Sequence, residues 1–284
     1  MRLLLLVVLG LPAAILGALV AFQRHLIYPG AYFSRHAEGE ARPTPDGTAA
    51  VTLTTPDGER LLGFWRPPRP GCGVVLSFHG NASAPESAAG RFTAGPWEPA
   101  GWGVLAIAYR GYPGSTGRPS EDGLIRDGLA ASDAVAAWAP GAPVLLHGHS
   151  LGAAVAVAVA ERRPHLGLYL EAPFDSLRHL VGLRYPLVPR LFLRDTYRSD
   201  LRIAGTSGPV FVVHGLQDGV IPLALARRLA ALAGPRARLE AIAGDHVSIL
   251  GERDAAAQST FRDAIVQLAA APTGDHSAAA LAAP

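Results

Sequence analysis

The chain opens with an unbroken apolar stretch, Leu3 to Phe22, and then changes pattern. Beyond Gly47 short β-branched apolar runs alternate with longer stretches of helical composition almost to the end. Val51–Thr55 and Leu61–Trp65 flank Pro56-Asp57-Gly58, residue types that suit a hairpin turn. Gly73–Phe78, Gly103–Ala108, Pro143–Leu146, Leu166–Leu170, Pro209–Val213 and Ala237–Ile242 are apolar throughout or nearly so, as expected of strands covered on both faces. Between them the pattern predicts helices: one beginning after Ser120, with Glu121 and Asp122 in its first turn, then Leu151–Arg162, Leu223–Ala233 and Ala255–Ala270. Strands alternating with helices imply one α/β domain over residues 48–271, with a mostly parallel sheet of about eight strands and helices on both faces.

The ends read differently. Leu3–Phe22 carries no charge over about 20 residues, the length at which a helix spans a hydrocarbon core. The expected element is a transmembrane anchor within residues 1–27. A cleaved signal peptide is the competing reading, but Ile15, Leu16 and Leu19 spoil most registers of a small-residue cleavage site. The amino group and Arg2 outweigh Arg24, so the expectation is a single-pass membrane protein with its domain on the extracytoplasmic side. Residues 28–47 form a Pro- and Gly-rich linker, and residues 272–284 a low-complexity tail expected to be disordered.

Composition removes some classes of function. Of the 284 residues, 49% are hydrophobic, enough for a sizeable core. Lys+Arg 25 against Asp+Glu 23 gives a net charge of +2 with no basic cluster, which argues against nucleic acid as a partner. Cys72 is the only cysteine, so neither an internal disulfide nor a cysteine metal cluster is available.

Chemistry enters at Gly148-His149-Ser150-Leu151-Gly152, a G-x-S-x-G sequence lying between a predicted buried strand and a predicted helix. That context puts a serine on a strained strand-to-helix turn, its hydroxyl exposed above the sheet, with glycines where side chains would collide with backbone. A serine hydroxyl needs a base held by a third group. Asp218, beyond the strand Pro209–Val213, and His246, beyond the strand Ala237–Ile242, follow in the order serine, acid, histidine. Both stand at carboxyl ends of strands, where parallel sheets place their ligands. Asp175 is the rival acid, and Asp245 reads as a loop or capping residue. His147 and His214 read as satisfied core or loop histidines. An oxyanion hole is expected from the amide of Leu151 and that of Asn81 or Ala82, in His79-Gly80-Asn81-Ala82 after the third strand, with the His79 side chain holding the loop.

With these motifs the sequence resembles the anchored α/β-hydrolase-domain (ABHD-type) serine hydrolases. The resemblance covers about Val51 to Ala270 and rests on HGNA at His79–Ala82, YRGYPGSTGRPSEDGL at Tyr109–Leu124, GHSLG at Gly148–Gly152, EAPFDSL at Glu171–Leu177 and HGLQDGVIP at His214–Pro222. It implies the α/β-hydrolase fold and cleavage of esters, thioesters or lipid acyl bonds with no metal and no organic cofactor. Ala153 and the Val247-Ser248 pair after His246 depart from the group's pattern. Residues 174–207 stand where this fold carries a lid. Tyr185 and Leu187 there, with His149, are candidate pocket residues, and the lid either packs on the sheet or forms an acyl-binding wall facing the membrane. A serine peptidase and a non-catalytic membrane-anchored scaffold are the alternatives; Ser150 excludes chemistry that needs an aspartate nucleophile.

Overall fold

The computed structural model describes residues 2–33, 42–186 and 188–270. A long helix, α1 (Arg2–Ile27), is followed by one turn, α2 (Pro29–Tyr32). The hairpin β1 (Ala49–Thr54) and β2 (Arg60–Arg66) leads into β3 (Val74–Phe78), α3 (Pro85–Phe92) and β4 (Gly103–Ile107). Then α4 (Glu121–Trp138), β5 (Val144–His149), α5 (Leu151–Ala160) and β6 (Gly167–Glu171) complete the first six strands of the sheet. Beyond them α6 (Leu177–Arg184) and α7 (Ser199–Arg202) lie in residues 174–207, the segment expected to be a lid and called so below. The chain closes with β7 (Val210–Gly215), α8 (Leu223–Ala233), β8 (Ala237–Ile242) and α9 (Asp254–Ala270). Every strand expected from the sequence is present. α3, short and built from small residues, had no expected counterpart.

The strands form one eight-stranded sheet in the order β1-β2-β4-β3-β5-β6-β7-β8. β1, β2 and β4 pair antiparallel, and every pairing from β4 to β8 is parallel. This is the α/β-hydrolase fold. All residues of β3, β4, β5, β6 and β7 are buried, which is why their sequences are continuous apolar runs rather than alternating ones. α5 is buried along its whole length, and its Ala and Val side chains let it lie close over the sheet. Each Val buried there contributes roughly 1.5–3 kcal/mol. Ser120 caps α4 by accepting from the Gly123 amide at 3.1 Å, as its residue type and the following acids lead one to expect. Because the six strands from β3 to β8 run parallel, the loops after β3, β5, β7 and β8 emerge at one edge.

The N-terminal expectation is corrected. Among the described residues no helix is long and apolar enough to cross a membrane, so the single-pass anchor is not supported. The extracytoplasmic placement and the membrane as a partner, which rested on that anchor, go with it. The polar side chains of the last turns of α1 are instead bonded into the domain. Arg24 pairs with buried Asp195, Nε to Oδ2 at 2.9 Å. Gln23 accepts from the Arg194 amide at 2.8 Å and donates to the Phe192 carbonyl at 3.3 Å. Tyr28, fully buried, donates to Asp195 at 3.0 Å and shares a 2.9 Å bond with Tyr197. Asp195 also accepts from the Glu121 amide at the start of α4, so one carboxylate joins α1, the lid and α4. The tail 272–284 lies outside the described residues, as does Leu187.

Candidate active site

Ser150 stands alone between β5 and α5, with φ 55° and ψ −117°. A non-glycine residue in the left-handed region costs on the order of 1–3 kcal/mol and persists only when its surroundings over-determine it. Here the Ser150 amide donates to the Glu171 carbonyl at 2.9 Å and the Ser150 carbonyl accepts from the Ala153 amide at 3.1 Å. The flanking glycines are steric necessities. A Cβ on Gly148 would lie 2.3 Å from the Gly152 carbonyl oxygen, and one on Gly152 would lie 2.0 Å from that of Phe78. The Ser150 hydroxyl caps nothing in α5, which leaves it free for chemistry. Leu151 opens the helix, in the turn whose N–H groups have no intrahelical partner and whose dipole favours an anion.

His246 and Asp218 meet. The His246 Nδ1–H donates to Asp218 Oδ2 at 2.8 Å. The Asp218 side chain is 1% exposed and its Oδ1 accepts from the amides of Val220 and Ile221, each at 2.8 Å. Burial works against its charge, but the bond from His246 and those amides outweigh it and hold the carboxyl below its usual range. His214 lies 3.4 Å from the same oxygen, yet its Nε2–H donates to the Ile221 carbonyl at 2.9 Å. Burial lowers its pKa and keeps it neutral.

His149 does more than flank the serine. Burial first, then the neighbouring His246, pushes its pKa down to about 4. The neutral ring donates from Nε2 to the His246 carbonyl at 3.0 Å, with the two rings 4.9 Å apart. The residue before Ser150 thus latches the loop that carries His246. His149 also lines a cavity of about 180 Å³, with His79, Gly80, Ser83 and Ser87. Tyr185 is exposed beyond α6 and does not line this cavity. Asp245 accepts from the amides of Val247 and Ser248, and Ser248 Oγ accepts from the Asp245 amide, so the departure after His246 serves to close that loop on itself.

The loop after β3, which the sequence reading expects to supply an oxyanion donor, packs directly on the serine turn: a Cβ on Gly80 would stand 3.0 Å from His149 Nδ1 and 3.6 Å from Ser150 Cβ. His79 Nδ1–H donates to the Gly80 carbonyl at 2.7 Å, and its ring packs on Tyr109 and Tyr112. Asp175 lies elsewhere, bonded to His179 and Arg228.

A buried carboxylate that sequence reasoning did not single out joins these segments. Glu171, at the end of β6, accepts from His147 Nε2 at 2.8 Å, from Arg91 at 2.6 and 3.0 Å, and from the Gly251 amide at 3.1 Å. His147 is in the serine's strand, Arg91 in the helix after the oxyanion loop, and Gly251 just beyond the histidine loop. Burial opposes the charge of Glu171; Arg91 and His147 more than offset it and hold the carboxyl well below its usual range. Its only sequence signal is the EAPF segment.

A family model described as serine aminopeptidase, S33, matches residues 70–206. The uncharacterized protein Rv2307c of Mycobacterium tuberculosis is 37% identical over 219 residues, 72% of this chain and 76% of its own length. The lysophosphatidylserine lipase ABHD12 of Macaca fascicularis is 32% identical over 154 residues, 48% of this chain and 39% of its own length. Among solved structures, an alpha-beta hydrolase from Vibrio vulnificus superposes with a TM-score of 0.63 at 21% identity, covering 87% of this chain and 92% of that one.

Proposed function

Since the chain belongs to the α/β-hydrolase superfamily, we propose that it is a serine hydrolase that cleaves carboxylic esters or thioesters, lipid acyl esters among them. The observation that carries this reading is the 2.8 Å bond from His246 to ionised Asp218, latched through His149 to the turn that bears Ser150. In the reaction Ser150 Oγ attacks the carbonyl carbon while His246 Nε2 takes its proton. Asp218 holds the Nδ1–H and stabilises the imidazolium. The amides of Leu151 and of Asn81 or Ala82 receive the oxyanion. His246 then protonates the leaving group, and water attacks the acyl-enzyme by the reverse path.

The matched family's description favours a second reading, an aminopeptidase. Such an enzyme needs a carboxylate to hold the substrate's ammonium near the serine. Among the described residues the cavity beside His149 has no acid in its lining, but Ser150 and His246 do not line it either, so the substrate assay below decides between the two readings. The lid supports an apolar acyl group, because Leu183, Tyr185, Leu191 and Phe192 are exposed rather than packed on the sheet.

The test is fluorophosphonate labelling of wild type and Ser150→Ala, with turnover of p-nitrophenyl esters of graded chain length and of aminoacyl p-nitroanilides. Ser150→Ala should abolish labelling and lower ester kcat by about 10⁶. A rise of kcat/KM from acetyl to medium acyl chains is expected. Preference for the anilides would overturn the ester reading, and folded wild type that takes no label would overturn both.

A further inference from the structure

A peptide unit is planar and trans, so its C=O and N–H point in opposite directions. Whatever fixes a carbonyl therefore aims the amide at the other end of the same bond. In the oxyanion loop the Gly80–Asn81 peptide is fixed from within: the Gly80 carbonyl accepts from His79 Nδ1 at 2.7 Å and from the Ser83 amide at 3.1 Å. The Asn81–Ala82 peptide is fixed from outside. Its carbonyl accepts from the Gly30 amide at 3.1 Å and from the Tyr112 hydroxyl at 2.8 Å. The Asn81 side chain reaches the same segment, donating from Nδ2 to the Ile27 carbonyl at 3.1 Å.

Gly30 is buried at this junction, and only glycine fits. A Cβ there would lie 2.6 Å from Tyr112 Cε1 and 2.9 Å from the Asn81 carbonyl oxygen. The segment is itself held, since Gln23, Arg24 and Tyr28 bond to the lid. We infer that the N-terminal segment is a positioning element of the reaction: through Gly30, and jointly with Tyr112, it fixes the loop whose amides supply the second oxyanion donor. The inference rests on the serine-hydrolase reading above, in which the amide of Asn81 or Ala82 is the second donor beside Leu151. A preorganised donor matters because it is already in place when charge develops.

The test uses the full chain carrying Gly30→Ala, Tyr112→Phe, or Phe33→Ala as a control in the same segment, where Phe33 is 67% exposed. The measurements are kcat and KM on p-nitrophenyl butyrate, the rate of fluorophosphonate labelling, and the melting temperature. Gly30→Ala and Tyr112→Phe should each lower kcat and kcat/KM by roughly tenfold to a hundredfold, less than the 10²–10³ for losing a donor outright. KM should hold, labelling should slow in parallel, and Phe33→Ala should match wild type. Should Gly30→Ala fold poorly, Tyr112→Phe decides, because it keeps the ring and removes only the O–H. Folded variants with kcat within twofold of wild type would overturn the inference, and so would a loss confined to KM. Wild type that neither labels nor turns over ester fails the hydrolase reading itself, a result visible before any variant is made.

Discussion

Among the described residues two buried aspartates are each bonded to a histidine Nδ1 at 2.8 Å: Asp218 with His246, and Asp175 with His179. By that distance alone they are equivalent. The Asp218 side chain is 1% exposed and that of Asp175 2%. What differs is where each pair leads. His246 is joined through its carbonyl to His149, the neighbour of Ser150, and the free valences of Asp218 are filled by the backbone amides of its own loop. Asp175 is filled from the lid and from α8: the Ser176 amide at 2.7 Å, His179 four residues on, and Arg228 at 3.0 Å. Its backbone carbonyl takes the Asp200 amide at 2.8 Å. One pair belongs to the edge that carries the serine, the other fastens the lid. A short Asp–His bond is therefore weak evidence of catalysis until its connection to a nucleophile is traced.

The sharpest way to break this comparison is to remove one charge from each pair. Asp218→Asn should lower ester kcat by about 10⁴, because an amide cannot hold the Nδ1–H tautomer that leaves Nε2 free as base. Asp175→Asn should change kcat by less than tenfold while lowering the melting temperature, since it weakens the bonds by which His179 of α6 and Arg228 of α8 meet on one buried carboxylate. The measurement is steady-state kinetics with thermal melting on both proteins. Equal losses of kcat would mean that the lid pair also takes part in the chemistry.

Both aspartates were visible in the sequence, and the choice between them rested on strand position. Strand ends and the serine turn are legible because residue types at close spacing announce them. Gly148 is dictated within one turn, where a Cβ would lie 2.3 Å from the Gly152 carbonyl oxygen, whereas Gly152 is dictated by the Phe78 carbonyl of β3, 2.0 Å from its Cβ position. The parallel strands declare themselves as apolar runs. The N-terminal segment is the opposite case. Its hydropathy reads as a membrane span, and what places it in the domain is a set of bonds from Gln23, Arg24 and Tyr28 to residues near Asp195. No local pattern announces partners so distant in the chain. The same holds for Gly30, a glycine in a Pro-Gly lead-in whose reason is Tyr112 and the Asn81 carbonyl. α3 was missed because its Ser, Ala and Gly positions carry little periodicity, yet it delivers Arg91 to Glu171.

Acid should act through the edge that carries Ser150 as well. Burial pushes His79 and His149 down to about 4, from an ordinary value of 6.5. Between those values the unfolded chain binds protons that the folded chain refuses, so stability rises with pH across the window and is lost on acidification. Each of these histidines is worth up to about 3 kcal/mol over that interval. Asp218, whose carboxyl is held low, adds its loss only below its ordinary value of 3.8. Melting temperature should thus fall steeply from pH 6.5 to 4, and His149→Gln should flatten the slope. An unchanged slope would place the acid sensitivity elsewhere.

The smallest effect, and the finest discrimination, comes from the histidines themselves. The His179 side chain is 34% exposed and that of His246 14%, so solvent already screens the lid pair. His179→Gln can keep a hydrogen bond to Asp175, while Arg228 still neutralises the carboxylate. The expected cost in stability is that of a screened surface pair, about 0–1 kcal/mol, with kcat and KM both within twofold of wild type. A selective rise in KM for long-chain esters, with acetyl esters unaffected, would show that the lid pair shapes the acyl site. The two Asp–His pairs would then differ in the part of the substrate they serve, and the separation between catalysis and scaffold would be one of degree.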